Sequence, residues 1–286
     1  MKIAIGTANF NQKYGVLKSF VSTKKSFKKI FKIIKDHKIE YLDTAFDYKY
    51  VSGLTEKKNI NKIKVITKIR LPNKNKLFFI NNLEKIVKLE LLKMNSRSFE
   101  AILLHNIHDL KFLYANRLIQ KIKLLKKNKY VRKIGVSIYD PNDLRIVFSK
   151  FNPEIVQVPI NIFDNRIIKS QWFDILKKRR IIIQARSIFL QGLLIKKISL
   201  IKKKNLNKEL LIKIKKLDSW CKLNKISRLE ACLNFVKTVK GINITTIGIS
   251  SPKELLEILN IIKKNKKIQF QDFSTSNLKI IDPRKW

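Results

Sequence analysis

Cysteine is nearly absent from this sequence. Cys221 and Cys232 are the only two in 286 residues, and they show no Cys-x-x-Cys spacing. A small secreted protein stabilised by disulfides needs more cysteines, and so does a zinc site built mainly of cysteine ligands. The cysteine content therefore disfavours both. We expect two buried thiols that behave as small apolar side chains, in a protein of a reducing compartment.

Glycine, proline and long apolar runs are scarce as well. Seven glycines and six prolines are spread over the chain without a linker or low-complexity segment, which favours one domain over residues 1–286. No apolar run approaches the roughly 18 residues that cross a bilayer, and the apolar stretch after Lys2 is too short for a signal peptide. We therefore expect a cytoplasmic protein without a membrane partner.

Acidic residues are few compared with basic ones. The chain has 21 Asp and Glu against 63 Lys and Arg, a formal net charge of +42. Such a charge would ordinarily indicate nucleic acid or another acidic partner. The lysines, however, are scattered over nearly every predicted helix and accompany abundant isoleucine and asparagine, as an AT-biased genome would encode. We favour solvated helix faces and predict no specific nucleic-acid site, because no aromatic cluster or reading helix stands among the charges.

Strand-like and helix-like segments alternate along the whole chain. Eight such units predict an α/β fold closed into a (β/α)8 TIM barrel. An open doubly wound sheet is the alternative, but no Gly-x-Gly-x-x-Gly follows any strand to support it. Ser22 or Thr23 is the predicted cap of the first helix. The predicted strands are Lys2–Ala8, Ile39–Asp43, Ile63–Lys68, Ala101–His105, Ile134–Ser137, Ile155–Pro159, Ile181–Arg186 and Ile244–Ile249.

Four polar residues stand where predicted strands end. Asp43 and Tyr48 follow the second strand, Lys68 closes the third and His105 closes the fourth. The carboxyl ends of barrel strands meet at one rim, so we expect these side chains to converge. Tyrosine is a poor acid near neutrality, and we expect Lys68, held by Asp43, to lower its pKa. With His105 donating to a carbonyl oxygen, the set would deliver a proton while a bound donor such as reduced nicotinamide supplies a hydride.

A metal site at this rim is the competing interpretation. His105 and His108 form a His-x-x-His pair. A third ligand is missing, and the pair straddles a strand end instead of sharing one helix face. We therefore predict no metal.

The order of Asp43, Tyr48, Lys68 and His105, which begins with an Asp-Thr-Ala-x-x-Tyr pattern, resembles the catalytic tetrad of the aldo-keto reductases. The resemblance implies that Tyr48 is the general acid, that Lys68 and Asp43 tune it, and that His105 orients the carbonyl. It extends over nearly the whole chain, and it implies NAD(P)H as cofactor. The segments that carry it downstream are Gly135–Ser137, Val156–Val158, Ala185–Leu194 and Gly248–Pro252. The cofactor-binding residues that it implies are Ser137, Gln157, Arg186, Ser187, Phe189, Gln191, Gly192, Gly248, Ser250 and Ser251.

Three positions depart from the family pattern. Ile138 stands where the family often has asparagine, and Arg186 stands where many members stack a tyrosine on the nicotinamide. Glu254 stands where an arginine often holds the 2'-phosphate of NADPH, so both NADPH and NADH remain open. Glu254 also fits a capping box with Ser251 as N-cap, because serine and glutamate then stand three residues apart at a helix start.

The resemblance implies reduction of an aldehyde or ketone, a small-molecule carbonyl, to an alcohol. Gly6–Phe10 followed by Tyr14 and Gly15 resembles bacterial members associated with surface-sugar pathways, so a sugar-derived carbonyl is one expectation. Two alternatives remain open: a catalytically vestigial barrel that serves as an accessory protein, and a binder of nucleic acid or an acidic partner.

Overall fold

Eight parallel strands close a barrel in sequence order, as the alternating pattern predicted. The computed structural model describes residues 1–10, 15, 24–48, 63–202, 207–264 and 268–286. The predicted cap at Ser22 or Thr23, and Tyr14, lie outside the described residues. The strands are β1 Lys2–Gly6, β2 Tyr41–Asp43, β3 Lys64–Ile69, β4 Phe99–Leu104, β5 Val131–Ser137, β6 Ile155–Pro159, β7 Ile182–Arg186 and β8 Ile244–Gly248.

Helices connect the strands and cover the barrel. They are α1 Lys24–Asp36, α2 Lys76–Asn81, α3 Leu83–Lys93, α4 Ala115–Lys127, α5 Asp143–Lys150, α6 Gln171–Lys178, α7 Ile198–Lys202, α8 Lys208–Leu223, α9 Arg228–Thr238, α10 Pro252–Lys263 and α11 Leu278–Ile281. Within the described ranges, no helix has both the length and the apolarity to cross a bilayer.

Two apolar cores follow from the alternation of side chains along each strand. The larger core packs outward-facing strand residues against the helices. The smaller core fills the barrel interior. All its buried members lie on strands, among them Ala4, Tyr41, Ile66, Leu103 and Ile155. Residues two positions further along a strand point to the same interior, which is how polar side chains reach the mouth of the barrel.

Two predicted helices differ from the observed ones: one is interrupted, and the other begins later. The helix predicted near 77–94 breaks at Asn82, whose φ and ψ of −95° and 10° leave the helical region. The side chain of Asn82 donates to the carbonyl oxygen of Phe78 at 2.9 Å, and the Asn82 N–H donates to the same oxygen at 3.1 Å. The helix predicted from Asp109 begins only at Ala115, behind a 3₁₀ turn over Ile107–Lys111.

The contact between β5 and β6 requires a glycine. Gly135 pairs with Ile155, and a Cβ at Gly135 would lie 2.0 Å from the Ile155 carbonyl oxygen. We expect Gly135→Ala to lower the free energy of unfolding by about 1–3 kcal/mol, because only a backbone shift relieves the clash. Urea denaturation measures this. Gly248→Ala is the matched control, since a Cβ there meets nothing within 4 Å; equal stability losses in both variants would contradict the argument.

Candidate active site

Lys68 and Asp43 form a buried ion pair at the mouth of the barrel. Asp43 ends β2 and pairs with Ile66 of β3, so Lys68, two residues further along β3, points to the same interior. The Lys68 Nζ donates to Asp43 Oδ1 at 2.6 Å and to the Thr44 carbonyl oxygen at 2.9 Å. Both side chains are less than one-tenth exposed. The sequence-based expectation that Asp43 holds Lys68 therefore describes the geometry correctly.

Two glutamines hold the second oxygen of the same carboxylate. Gln157 on β6 and Gln184 on β7 donate their Nε2 atoms to Asp43 Oδ2 at 2.6 and 2.9 Å. Gln184 also donates to Thr246 Oγ1 at 2.8 Å. Sequence reasoning missed Gln184, although an amide inside the apolar run of β7, directly beside Gln157 in the sheet register, was a readable signal. The two residues that Gln184 contacts here, Asp43 and Thr246, lie on β2 and β8.

Ser137 and Gln157, two of the predicted cofactor-binding residues, contact each other. Ser137 Oγ donates to Gln157 Oε1 at 3.0 Å, and both side chains are buried. The register places Ser137 of β5 beside Gln157 of β6, which explains the contact. A role of these two residues in holding a carboxamide stays a prediction.

Tyr48 faces the ion pair, but Lys68 does not make it more acidic. The Lys68 Nζ lies 5.6 Å from the centre of the Tyr48 ring. Burial raises the pKa of the Tyr48 phenol, and the carboxylates of Asp43 and Asp47 raise it further, while Arg186 opposes them. The expectation of a lowered pKa was wrong, because burial and the Asp43 carboxylate raise the pKa, and the charge of Lys68 is already paired with Asp43. The phenol therefore keeps its proton at neutral pH, as a proton donor must.

His105 is held as a neutral donor. The Arg70 Nη2 lies 3.5 Å from His105 Nδ1, and because a guanidinium only donates, this contact favours the tautomer in which Nδ1 accepts and Nε2 carries the proton. Burial lowers the pKa of His105 from 6.5 to about 3, and the charges of Lys68, Arg70 and Arg186 act in the same direction. The imidazole is therefore uncharged over the physiological range and offers one N–H for a hydrogen bond.

One cavity of about 150 Å³ joins these groups. Its walls include all four tetrad residues and all the predicted cofactor-binding residues except Ser251. These residues are Asp43, Tyr48, Lys68, His105, Ser137, Gln157, Arg186, Ser187, Phe189, Gln191, Gly192, Gly248 and Ser250. Residues predicted from seven different strand ends and loops thus meet at one place, as the barrel rim requires.

A second cavity of about 520 Å³ continues the first toward the start of α10. Ile195, Lys196, Ser250 and Glu254 line both cavities, and Ser251 lines the second. The result is a long groove with the tetrad at one end and a helix start at the other. A Cβ built on Gly248 meets nothing within 4 Å, so a side chain there would project into open space.

Glu254 shapes the far end of this groove. Ser251 caps α10 by accepting from the Glu254 N–H at 3.1 Å, as predicted. The Glu254 carboxylate, however, accepts from the N–H of Ser250 at 2.6 Å and from the Ser250 hydroxyl, instead of closing a capping box on Ser251. The carboxylate therefore occupies the backbone donor of Ser250, which directly precedes the N-cap of α10.

Arg186 lies against Tyr139 in the cavity wall. Its Cζ is 4.1 Å from the centre of the Tyr139 ring. Nη2 donates to the Ile138 carbonyl oxygen at 2.9 Å, and Nη1 donates to Ser187 Oγ at 3.1 Å. One face of the guanidinium is thus covered by Tyr139, and the stacking of Arg186 on a nicotinamide stays a prediction.

The cysteines and the possible metal ligands are the remaining candidates for a functional site. Cys221 and Cys232 are free and buried, and burial raises the pKa of both thiols, that of Cys221 to about 11. Among the residues that the structure describes, no group of three or more His, Cys, Asp or Glu side chains is placed to hold a metal ion.

Comparison with known proteins shows the family and the fold. The model of the aldo/keto reductase family matches residues 2–276. The holo form of the aldo-keto reductase AKR11C1 from Bacillus halodurans superposes with a TM-score of 0.72 at 16% sequence identity, covering 93% of this chain and 88% of that one. A candidate aldo-keto reductase from Pseudomonas aeruginosa superposes with a TM-score of 0.65 at 14% identity, covering 91% and 88%.

The curated proteins contain no significant match. At these identities the structural likeness shows the fold, whereas the family model covers nearly the entire sequence. The chain therefore belongs to the aldo/keto reductase family.

Proposed function

We propose that this protein reduces an aldehyde or ketone to the alcohol, with a hydride from NADH or NADPH and a proton from Tyr48. The observation that carries the proposal is the convergence of Tyr48, Lys68, Asp43 and His105 on one cavity. Membership of the aldo/keto reductase family implies the same class of reaction. The carbonyl carbon gains a hydride and the oxygen gains a proton, so the reaction balances without a metal.

The four side chains have complementary tasks in this proposal. His105 donates its Nε2–H to the carbonyl oxygen and fixes the orientation of the substrate. Tyr48 transfers its proton to the same oxygen as negative charge develops there. The Lys68 ammonium, buried at 5.6 Å from the phenol ring, then stabilises the phenolate that remains. Asp43 and its two glutamines act at a distance from the substrate, because they hold Lys68 in position.

The groove would hold the nicotinamide dinucleotide that membership of the aldo/keto reductase family implies. Bound there, the cofactor supplies the hydride. Ser137 and Gln157 would hold its carboxamide end, Ser187, Phe189, Gln191 and Gly192 would enclose its middle, and Gly248, Ser250 and Ser251 would hold its adenosine end. The open space at Gly248 and the cap of α10 support this assignment.

The position of Glu254 favours NADH over NADPH. A 2'-phosphate at the start of α10 would meet a carboxylate that already occupies the Ser250 N–H. We expect fluorescence titration to give tighter binding of NADH than of NADPH, and we expect Glu254→Gln to improve NADPH binding about tenfold with a smaller effect on NADH. The basis is the removal of one repulsive charge and the release of one donor.

Glu257→Gln is the matched control. Glu257 lies on the same helix and lines the second cavity, and its substitution removes the same negative charge. A wild-type preference for NADPH, or equal responses of both variants, would contradict the role of Glu254. If neither nucleotide binds at millimolar concentration, the proposed function itself is wrong. A sugar-derived substrate stays a prediction of the sequence.

A further inference from the structure

The guanidinium of Arg186 is a positive charge in the cavity wall without a carboxylate partner. Of the other charged groups of the inner cavity, Lys68 is paired with Asp43, Glu254 accepts hydrogen bonds from Ser250, and Lys196 lies where this cavity joins the second one. Across the ranges that the structure describes, no Asp or Glu forms an ion pair with Arg186. A half-buried charge without a counter-ion is unfavourable, and an anionic ligand is the usual way to balance it.

Arg186 also has donors left for such a ligand. A guanidinium offers five N–H groups, and the contacts to Ile138 and Ser187 account for one on Nη1 and one on Nη2. The Nε atom is buried and has no hydrogen-bond partner. An unpaired buried donor is uncommon in folded proteins and calls for an explanation, such as a bound group.

Tyr139 holds this guanidinium in place from one side. Arg186 Cζ is 4.1 Å and Arg284 Cζ is 3.6 Å from the centre of the Tyr139 ring, so the two guanidiniums must cover opposite faces. Arg284 is fixed by Asp282 through a contact of 2.6 Å. The C-terminal segment therefore braces Tyr139, and through it Arg186, before any ligand arrives. Such preorganisation is what a specificity group needs.

Arg186 stands close to the place where the carbonyl would react. It lines the same cavity as Tyr48 and His105, and its charge contributes to the lowered pKa of His105 and opposes the rise in the pKa of Tyr48. Lys196 lines both cavities and Lys253 lines the second one at the start of α10, so the groove offers a dinucleotide cations other than Arg186. The charge of Arg186 is thus available to the other ligand of the site.

We propose that Arg186 is an anion subsite for the substrate, so that the preferred substrates are carbonyl compounds that also carry a carboxylate or a phosphate. This inference rests on the proposed function, since it concerns the same cavity. The guanidinium would form a charge-assisted hydrogen bond with the anion while His105 and Tyr48 contact the carbonyl oxygen. A neutral carbonyl of the same size lacks that interaction.

The test compares 4-carboxybenzaldehyde with methyl 4-formylbenzoate, its neutral ester. We expect wild-type kcat/KM to favour the carboxylate about tenfold or more, mainly through KM. Arg186→Gln should lower that ratio about tenfold, and Arg186→Lys should retain part of it because charge remains without the fork. Arg179→Gln is the matched control. Arg179 also stacks on an aromatic ring, Phe148 at 4.7 Å, and donates to Asn152, but it lies outside the cavity.

A binding measurement separates this inference from the proposed function. Benzoate and benzamide are titrated calorimetrically into the protein saturated with NAD⁺, where no turnover is needed. Tighter binding of benzoate, lost in Arg186→Gln and kept in Arg179→Gln, supports the subsite even if neither aldehyde is reduced. Reduction of both aldehydes with a ratio that Arg186→Gln leaves unchanged overturns the subsite while the proposed function stands. If Arg186→Gln weakens NADH binding but leaves the kcat/KM ratio of the two aldehydes unchanged, the charge of Arg186 serves the cofactor. That result also overturns the proposed subsite.

Discussion

Replacing Tyr48 with phenylalanine is expected to lower kcat about 10³-fold, the size of effect that a positioned general acid contributes. The phenol is the proton donor that faces the Lys68 and Asp43 pair within the described cavity, and its raised pKa keeps it protonated until charge develops on the substrate oxygen. Phenylalanine keeps the ring beside the ammonium but has no proton to give. Initial rates of NADH oxidation at saturating aldehyde measure the loss.

The nucleotide should still bind to this variant, because the hydroxyl is the only group removed. Fluorescence titration of Tyr48→Phe with NADH checks that the groove is intact. Tyr130→Phe is a suitable control, since Tyr130 also has an ammonium near its ring, that of Lys88 at 5.1 Å, yet does not line the cavity. Near-wild-type turnover by Tyr48→Phe would remove the basis of the enzymatic assignment.

Asp43→Asn is expected to destabilise the fold by about 3–5 kcal/mol, the usual consequence of leaving one member of a buried ion pair without its partner. The asparagine amide would also meet a donor in either orientation. If its nitrogen faces the glutamines, it opposes the Nε2 atoms of Gln157 and Gln184, and if it faces β3, it opposes the Lys68 ammonium. Urea denaturation measures the stability, and kcat should fall as well because Lys68 loses its fixed position.

Glu40→Gln makes the same chemical change in an exposed ion pair. Glu40 lies 2.5 Å from Lys64, with both side chains more than one-third exposed. Exposed pairs contribute roughly 0–1 kcal/mol, so this variant should unfold at nearly the wild-type urea concentration. Similar stability losses for Asp43→Asn and Glu40→Gln would show that the network around Asp43 is not what holds this end of the barrel together.

The strands and the four residues at the mouth of the barrel were predictable because each follows from a local pattern. Strand β6 has the predicted bounds, Ile155–Pro159, since a short apolar run between turn residues leaves few alternatives. The helix boundaries were less predictable. The helix is interrupted at Asn82 although the apolar periodicity continues across it, and periodicity carries no information about the backbone angles of one residue.

The sequence by itself determined the barrel, the family and the four residues at its mouth, because alternation of strands and helices and the order of motifs are properties of the chain. Tertiary structure alone decided the state of those residues. The pKa of Tyr48 is raised where sequence reasoning expected it to be lowered, since burial and the Asp43 carboxylate outweigh an ammonium that is already paired. The tertiary structure alone also decided three contacts: Gln184 with Asp43, Tyr139 with Arg186, and Glu254 with Ser250. Each depends on desolvation and on distances between side chains that only the closed barrel sets.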